Sequence, residues 1–462
     1  MGRLIVISNR VSAPTEDEGE GTVGGLAMAL AAALREYSGI WFGWSGKTVD
    51  QFSGELTTQR IHGVTVATLD LEEQDVNEYY NGYANKTLWP LFHYRIDLTA
   101  YERSFGQGYD RVNRRFAETV APLVQPDDII WVHDYHLIPL ARELRKLGVS
   151  NRIGFFLHIP WPARQLVVTL PRQRQLVEAL FFYDLVGFQT EEGLDAFEGF
   201  VRKEAGGSIA DDGRATAFDR TIRVGAYPIG IDAERFIAAA QSDEARLTFQ
   251  RMKESLAGRR MIIGVDRLDY SKGLEERILA YEQCLADNPE LREKLFLLQI
   301  ATLSRDSVDA YQDLRARLEA LTGRINGAFA TVDWVPIRYV NASHRRDELV
   351  GLFRSAAVGL VTPLRDGMNL VAKEYVAAQD PDDPGVLILS QFAGAASQMT
   401  DAIIVNPFSR EGMSDSLVRA LAMPKVERIR RWEALIHGVM NNDVNAWRDS
   451  FVRALSACSP LC

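Results

Sequence analysis

Residues 358–374, VGLVTPLRDGMNLVAKE, combine a short apolar run, a polar turn and the start of a helix. The run Val358–Thr362 has the length and apolar character of a buried strand. Arg365–Gly367 then forms a turn, and helical periodicity begins near Leu370. Because parallel strands need crossover connections, which helices usually supply, this unit predicts a parallel α/β sheet.

The same unit predicts a binding site for an anionic ligand. Backbone amides at a helix N-terminus carry partial positive charge and suit a diphosphate. Glu374 lies one turn into the helix, where its carboxylate can accept hydrogen bonds from a ribose diol. A nucleotide is therefore the ligand that this segment favours.

Short apolar runs alternate with helical periodicity along the rest of the chain, which is typical of doubly wound α/β domains. At 462 residues the chain exceeds what one hydrophobic core usually supports, so we expect two domains. A Pro/Gly break near residues 226–230 predicts domains over residues 1–228 and 229–462. The predicted strands are Leu4–Ile7, Ile129–Val132, Ile153–Leu157, Leu185–Phe188, Met261–Val265, Leu295–Ile300, Val358–Thr362, Val386–Leu389 and Ile403–Val405.

Two further segments have a predicted structure. The polar stretch Ser208–Arg220 is expected to be a surface loop. The chain after about Pro424 is predicted to be helical, and this tail could pack on either domain.

The composition excludes several classes of protein. The net charge of −10 argues against nucleic acid or an anionic membrane as the main partner, because both attract an excess of Lys and Arg. The three cysteines are too few for a disulfide framework and favour a reducing compartment, with the cytoplasm as the default. No signal peptide or membrane-spanning run is expected.

A second loop of the later half also carries cations. Arg267–Gly273 follows the strand Met261–Val265 and precedes a helix near Leu274. Arg267 and Lys272 on this loop are a plausible diphosphate clamp, since Arg binds oxygens in a fork and Lys acts as a point charge. Solvated surface charge is the alternative interpretation.

The first half places polar groups at strand ends. Arg10 ends the first strand, His133-Asp134 follow the strand Asp128–Val132, and His158 follows the next strand. Open α/β sheets bind ligands at this edge, which favours a crevice here; the alternative is that His158 and Asp134 only satisfy backbone groups. Gly24-Gly25 before a helix at Leu26–Glu36 allow an anion to approach, or form a simple turn. The spacing of His133 and His136 resembles a metal site, but no second ligand cluster completes it, so no metal is predicted.

The chain carries, in this order, the segments Ser8–Arg10, Trp41–Gly46, Glu78–Asn81, Leu88–Pro90, His133–His136, Phe156–Pro160, Arg267–Gly273 and Arg365–Glu374. Taken together, they closely resemble the trehalose-6-phosphate synthase family of retaining glycosyltransferases. The resemblance runs in order from Leu4 to about Phe408.

The resemblance implies a GT-B fold, in which two Rossmann-like domains face each other across a cleft. It implies transfer of glucose from UDP-glucose to glucose 6-phosphate with retention, giving α,α-trehalose 6-phosphate and UDP. No cofactor and no metal are implied, and relatives often form dimers or tetramers.

The resemblance also assigns roles to individual residues. The implied catalytic residues are Arg267, Lys272, Asp366 and His158, and anomer selection is implied for Trp89 and His158. The acceptor would bind to Arg10, Tyr80, Trp89, Asp134 and Arg305. The donor would bind to Gly24, Gly25, Arg267, Lys272, His344, Asp366, Asn369, Leu370, Val371, Ala372, Lys373 and Glu374.

Several alternatives stay open at this point. Tyr80 and Trp89 suit a pyranose ring, but without the resemblance aromatic core packing would be the favoured explanation. The region around His344 matches the family poorly, which leaves GDP-glucose or ADP-glucose as possible donors. A pseudo-glycosyltransferase that couples cyclitols through nitrogen, or a non-catalytic sugar-phosphate sensor, would use the same fold.

Overall fold

Two sheets with parallel cores organise the chain, each in its own structural unit. The computed structural model describes residues 2–11, 39–61, 63–303 and 309–458. The first unit comprises residues up to Ile229 together with residues from Asn445 onward, and the second comprises Gly230–Val444.

The first unit contains a ten-stranded sheet in the described part of the chain, ordered β3-β4-β2-β1-β5-β6-β7-β10-β9-β8. Pairing is parallel from β4 through β10 and antiparallel at both edges. The strands are β1 (Leu4–Arg10), β2 (Ile40–Val49), β3 (Thr57–Ile61), β4 (Val64–Glu72), β5 (Ile129–His133), β6 (Arg152–Phe156), β7 (Leu185–Phe188), β8 (Ser208–Ile209), β9 (Arg214–Ala217) and β10 (Arg220–Ala226).

Helices connect the parallel strands of this sheet. Leu4 to Asn9 of β1 are buried, as expected for a central strand that is covered on both faces. The helices are α1 (Glu73–Asp75), a π-helix at Val76–Leu88, α2 (Trp89–Phe92), α3 (Arg103–Val120), α4 (Leu140–Lys146), α5 (Arg164–Val167), α6 (Gln173–Leu180) and α7 (Glu191–Lys203), with 3₁₀ turns at Ile96–Leu98, Ala121–Leu123 and Tyr135–Leu137.

The second unit contains a six-stranded parallel sheet among its described residues, ordered β13-β12-β11-β14-β15-β16. Its strands are β11 (Arg260–Arg267), β12 (Leu295–Thr302), β13 (Ile337–Val340), β14 (Val358–Val361), β15 (Val386–Ser390) and β16 (Ile403–Val405). Its helices are α8 (Ala233–Ala239), α9 (Asp243–Leu256), α10 (Leu274–Asp287), α11 (Asp309–Phe329), α12 (Arg346–Ser355), α13 (Leu370–Ala378), α14 (Arg410–Ala422) and α15 (Lys425–Asn441), with 3₁₀ turns at Tyr270–Lys272, Pro289–Leu291 and Gly394–Ser397.

The last helix, α16 (Val444–Ser456), packs on the first sheet. The Trp447 ring centroid lies 4.8 Å from that of Trp131, and Phe451 stacks on Trp131 at 4.7 Å. The described part of the tail is helical, and it divides between the units: α15 belongs to the second unit, and α16 packs on the sheet of the first.

The predicted α/β fold class is confirmed, and each of the nine predicted strands is present. The prediction for Ser208–Arg220 is wrong, because β8 and β9 lie within it and pair antiparallel. The alternating burial of β9, with Ala215 and Ala217 buried, stabilises this edge hairpin although the segment is polar overall. In the described ranges, no helix is long and apolar enough to cross a membrane.

Candidate active site

The strand order of the second sheet reverses between β11 and β14. Along the chain the six strands follow the order 3-2-1-4-5-6, and open α/β sheets bind ligands at the carboxyl ends of strands where the order reverses. Residues 267–273 follow β11 and residues 362–369 follow β14, so the topology places both segments at this point. After the ligand that the sequence resemblance implies for them, we call these two segments the donor loops.

Hydrogen bonds and one ion pair hold the donor loops together. The Leu364 amide donates to the Ser271 carbonyl at 2.8 Å. The Lys272 ammonium Nζ lies 2.5 Å from Asp366 Oδ2, and both side chains are largely buried. Gly273 has φ +64°, and a Cβ there would lie 2.4 Å from the Thr362 carbonyl oxygen, so only glycine permits this approach. Two residues 94 positions apart therefore form one charged centre.

Asn369 begins helix α13 beside this centre. Its φ of 76° is left-handed, and its side chain accepts a hydrogen bond from the Ala372 amide. Its Nδ2 donates to Asp366 Oδ2 at 3.1 Å, which links the helix start to the ion pair. The Leu370 and Val371 amides open the helix, where backbone amides have no acceptor within the helix. The arrangement is suited to a diphosphate.

Arg267 supplies a second cation to the same loop. It is the last residue of β11, and its side chain remains 45% exposed. Its Nη2 lies 4.0 Å from the buried carboxylate of Asp269. A half-exposed guanidinium at a strand end can turn toward a bound anion.

Lys373 and Glu374 occupy different surroundings from the cations of the loops. Lys373 is 1% exposed, and its Nζ donates to Gln398 at 2.7 Å. Burial lowers the pKa of Lys373 to about 7. Burial likewise raises the pKa of the half-buried Glu374 to about 7, against the opposing attraction of Arg346. The helix thus carries two groups that titrate near neutral pH.

His344 precedes helix α12, and its Nδ1 lies 3.0 Å from Glu348 Oε1. The side chain is mostly buried, so the residue has a defined orientation within the second unit.

The first sheet has a corresponding reversal between β1 and β5. Arg10 ends β1 with an exposed side chain, and Asp134 follows β5 in a left-handed conformation with φ 77°. Asp134 Oδ1 accepts a hydrogen bond from the His158 amide at 3.2 Å. The structure therefore brings Asp134 and His158 together, as their positions at adjacent strand ends predict.

His158 is paired with a second imidazole that the residue assignments did not include. His133 Nδ1 lies 2.9 Å from His158 Nε2. Burial lowers the pKa of His158 to about 3. Burial and the neighbouring His158 hold the pKa of His133 well below its usual value, so both rings are neutral at physiological pH.

The aromatic residues of the first unit differ in exposure. Tyr80 is half-buried, with its ring stacked on His136 at 5.9 Å and edge-on to Trp44 at 5.6 Å. Trp89 is 5% exposed and packs against His93 and Tyr135, with ring centroids 4.1 and 5.7 Å away. Tyr80 can reach a ligand from this position, whereas most of the Trp89 ring is covered by its neighbours.

Three of the assigned residues, Gly24, Gly25 and Arg305, lie outside the described residues. Within the described ranges, no group of three or more His, Cys, Asp or Glu side chains is arranged to hold a metal ion.

Sequence reasoning missed Arg277, which lies beneath the donor loops. It is fully buried on helix α10 and pairs with Asp266 at 2.6 Å. The signal was present in the helix itself, because Arg277 shares the apolar face formed by Leu274, Ile278 and Tyr281. A cation on a buried helical face needs a buried partner.

Comparisons with known proteins agree with this geometry. Residues 3–457 of the chain match Glycosyltransferase family 20. The chain is 49% identical over 464 residues to the trehalose-6-phosphate synthase of Sinorhizobium fredii, with all of both chains covered. These matches confirm the family resemblance.

Two solved structures resemble the chain along nearly its whole length. An α,α-trehalose-phosphate synthase (UDP-forming) from Burkholderia xenovorans, in complex with glucose-6-phosphate, is 49% identical with a TM-score of 0.95, covering 99% of this chain and 100% of that one. An Escherichia coli structure bound with UDP-2-fluoro glucose is 46% identical with a TM-score of 0.95, covering 100% of each.

Proposed function

This chain belongs to glycosyltransferase family 20, and we propose on that premise that it transfers glucose from UDP-glucose to glucose 6-phosphate. The products are α,α-trehalose 6-phosphate and UDP, and the anomeric configuration of the donor is retained. The full-length similarity to UDP-forming synthases supports this reaction, as does the glucose-6-phosphate complex of one relative.

One observation carries the assignment of the donor site to the second unit. The Lys272–Asp366 pair lies at the switch point of the sheet, beside the first amides of helix α13. A diphosphate needs cations and amide donors, and a glucosyl group needs a carboxylate that accepts from its hydroxyls. The pair joins these two requirements within one hydrogen-bonded centre.

The residues then divide the chemistry among themselves. The bond from the anomeric carbon to the diphosphate oxygen breaks, and a bond to the acceptor's anomeric hydroxyl oxygen forms on the same face. The hydroxyl proton passes to the departing phosphate oxygen. Arg267 and Lys272 stabilise the negative charge on that phosphate, while Asp366 positions the glucosyl group and makes no covalent bond to it.

The remaining donor contacts follow from helix α13 and its surroundings. The Leu370 and Val371 amides bind phosphate oxygens, with Ala372 capped by Asn369 behind them. Glu374 accepts from the ribose hydroxyls, and the backbone near His344 contacts the base. Lys373 supports the helix from its buried position.

Of the proposed acceptor residues, Arg10, Tyr80, Trp89 and Asp134 belong to the first unit, and Arg305 falls within the sequence range of the second. Arg10 and Arg305 bind the phosphate of glucose 6-phosphate, and Tyr80, Asp134 and the uncovered edge of Trp89 contact the sugar. The pKa of about 3 keeps His158 uncharged. As a neutral hydrogen-bonding group, it helps to select the anomer.

A panel of UDP-, GDP- and ADP-glucose tested against glucose 6-phosphate examines the proposal directly. We expect nucleotide release with UDP-glucose, without added divalent metal, and an α,α-linked product by NMR. Nucleotide binding without release would identify a sugar-phosphate sensor instead. A nitrogen-linked product from cyclitol substrates would identify a pseudo-glycosyltransferase, and preference for another nucleotide would correct the donor.

We further propose that the chain forms a cytoplasmic dimer or tetramer. Light scattering of the purified protein measures the oligomeric state, and fractionation of producing cells tests the location.

A further inference from the structure

We infer that Arg277, together with Asp266, is a positioning residue that holds the two donor loops in register for UDP-glucose. This inference rests on the proposed function and extends it to residues that do not touch the substrate. The motivating observation is a buried cation with a hydrogen bond to each donor loop.

Arg277 contacts both loops through different nitrogen atoms. Its Nε donates to Thr362 Oγ1 at 3.0 Å, at the start of the loop that carries Asp366. Its Nη2 donates to the Lys272 carbonyl oxygen at 3.4 Å, on the loop that carries the ammonium partner. A planar guanidinium fixes these two directions relative to each other, which a flexible ammonium cannot do.

The guanidinium is anchored from below by two further side chains. Its Nη1 donates to Asp266 Oδ2 at 2.6 Å and to Gln299 Oε1 at 2.9 Å. Gln299 in turn donates to the Gly264 and Ile300 carbonyl oxygens, at 3.2 and 3.0 Å. The anchor therefore ties the guanidinium to adjacent strands β11 and β12.

The backbone leaves space for this arrangement. A Cβ on Gly264 would lie 2.5 Å from Arg277 Nη1 and 2.6 Å from Gln299 Oε1. Any larger residue at this strand position would displace the network. Glycine in a strand interior often marks such a close approach.

Energetics argue for a role other than stability. Arg277 is 0% exposed and Asp266 is 3% exposed, so both charges are removed from water. Burial raises the pKa of Asp266, although Arg277 and Lys272 both oppose that rise. Apolar replacement of a buried ion pair is often neutral or stabilising, whereas removal of one partner is strongly destabilising. A contribution to stability therefore explains the Arg277–Asp266 pair poorly. Fixing the positions of the two donor loops relative to each other explains it well.

The test separates positioning from folding with a matched pair of variants. Arg277→Met leaves Asp266 buried without its cation, so we expect a marked loss of thermal stability. The double variant Asp266→Leu/Arg277→Met replaces both charges with apolar side chains, and we expect its melting temperature to return close to that of the parent. Calorimetry then measures the Kd of UDP and of glucose 6-phosphate for each folded protein.

We expect the double variant to bind UDP at least tenfold more weakly and glucose 6-phosphate with unchanged affinity. If Arg277 and Asp266 had only a structural role, the stable double variant would bind both UDP and glucose 6-phosphate with wild-type affinity. Wild-type UDP affinity in the stable double variant would overturn the inference.

A second variant covers the case in which the double variant does not fold. Thr362→Val removes one contact and keeps the Arg277–Asp266 pair intact. We expect UDP binding to weaken three- to tenfold, and unchanged UDP binding would overturn the inference. If the wild type binds UDP but transfers no glucose, the proposed reaction fails while this binding comparison still stands.

Discussion

The two groups of proposed site residues differ in how the protein handles charge. The donor group in the second unit consists of Arg267, Lys272, Asp366, Asn369 and Glu374. The acceptor group in the first unit consists of Arg10, Tyr80, Trp89, Asp134 and His158. The donor group centres on an ion pair at 2.5 Å, whereas three of the five acceptor residues, Tyr80, Trp89 and His158, are aromatic rings.

This difference follows from the chemistry that each group is proposed to perform. A leaving diphosphate gains negative charge during transfer, so preorganised cations lower the barrier. An acceptor sugar stays neutral at the ring and needs shape, hydroxyl partners and one phosphate contact. Substitutions in the donor group should therefore act on turnover, and those in the acceptor group on acceptor affinity.

The largest expected effect is in the donor group. Arg267→Ala should lower kcat by about 100- to 1,000-fold, the range for loss of one donor to a developing oxyanion. The KM for glucose 6-phosphate should stay within about threefold, since removal of an interaction made in the transition state leaves ground-state binding intact. Steady-state kinetics measure both constants, with Arg315→Ala on the exposed face of α11 as the control. Normal turnover would remove Arg267 from the donor group.

The next effect is in the acceptor group. Arg10→Ala should raise the KM for glucose 6-phosphate about 10- to 100-fold, because a charged hydrogen bond contributes about 1.5–3 kcal/mol. The KM for UDP-glucose should not change. If only the KM for UDP-glucose rose, the assignment of the donor and acceptor groups would be reversed. Arg305→Ala should behave like Arg10→Ala for the same reason.

A smaller effect depends on pH and distinguishes the titrating groups. Glu374 has a pKa of about 7 without ligand, and its ionised form is the better acceptor for ribose hydroxyls. The KM for UDP-glucose should therefore fall up to about tenfold from pH 6 to pH 8. Glu374→Gln should flatten this dependence. His158→Gln should lower activity yet keep the same pH profile, because His158 stays neutral over this range.

The smallest effect concerns stability. The pKa of Lys373 is lowered to about 7 in the folded state from its ordinary value of 10.5, so the unfolded chain binds more protons between these values. Stability from this residue should rise with pH over that window, by up to about 1.4 kcal/mol per pH unit. Denaturant unfolding of wild type and Lys373→Met at pH 7 and pH 9 measures the difference. If the free energy of unfolding changed equally with pH in both proteins, the lowered pKa of Lys373 would be contradicted.

Much of the fold could be predicted because its signals are local. The apolar runs that became β11 and β14, and the polar loops after them, are continuous in the sequence. Strand-end chemistry then follows from the parallel arrangement, in which carboxyl ends share one edge. The antiparallel hairpin at β8 and β9 was missed because its burial depends on neighbours that a polar segment does not reveal.

The sequence alone was sufficient for the α/β class, the family, and the cations and carboxylates proposed to bind the donor. Periodicity and motif order are properties of contiguous residues, so both can be identified without knowing the distances between residues in the folded chain. Contacts between remote segments required the folded chain: the Lys272–Asp366 pair, the His133–His158 pair and the network around Arg277. Each of these contacts joins residues that are far apart in the sequence. They are brought close together by the order of the strands in the sheet and by close packing.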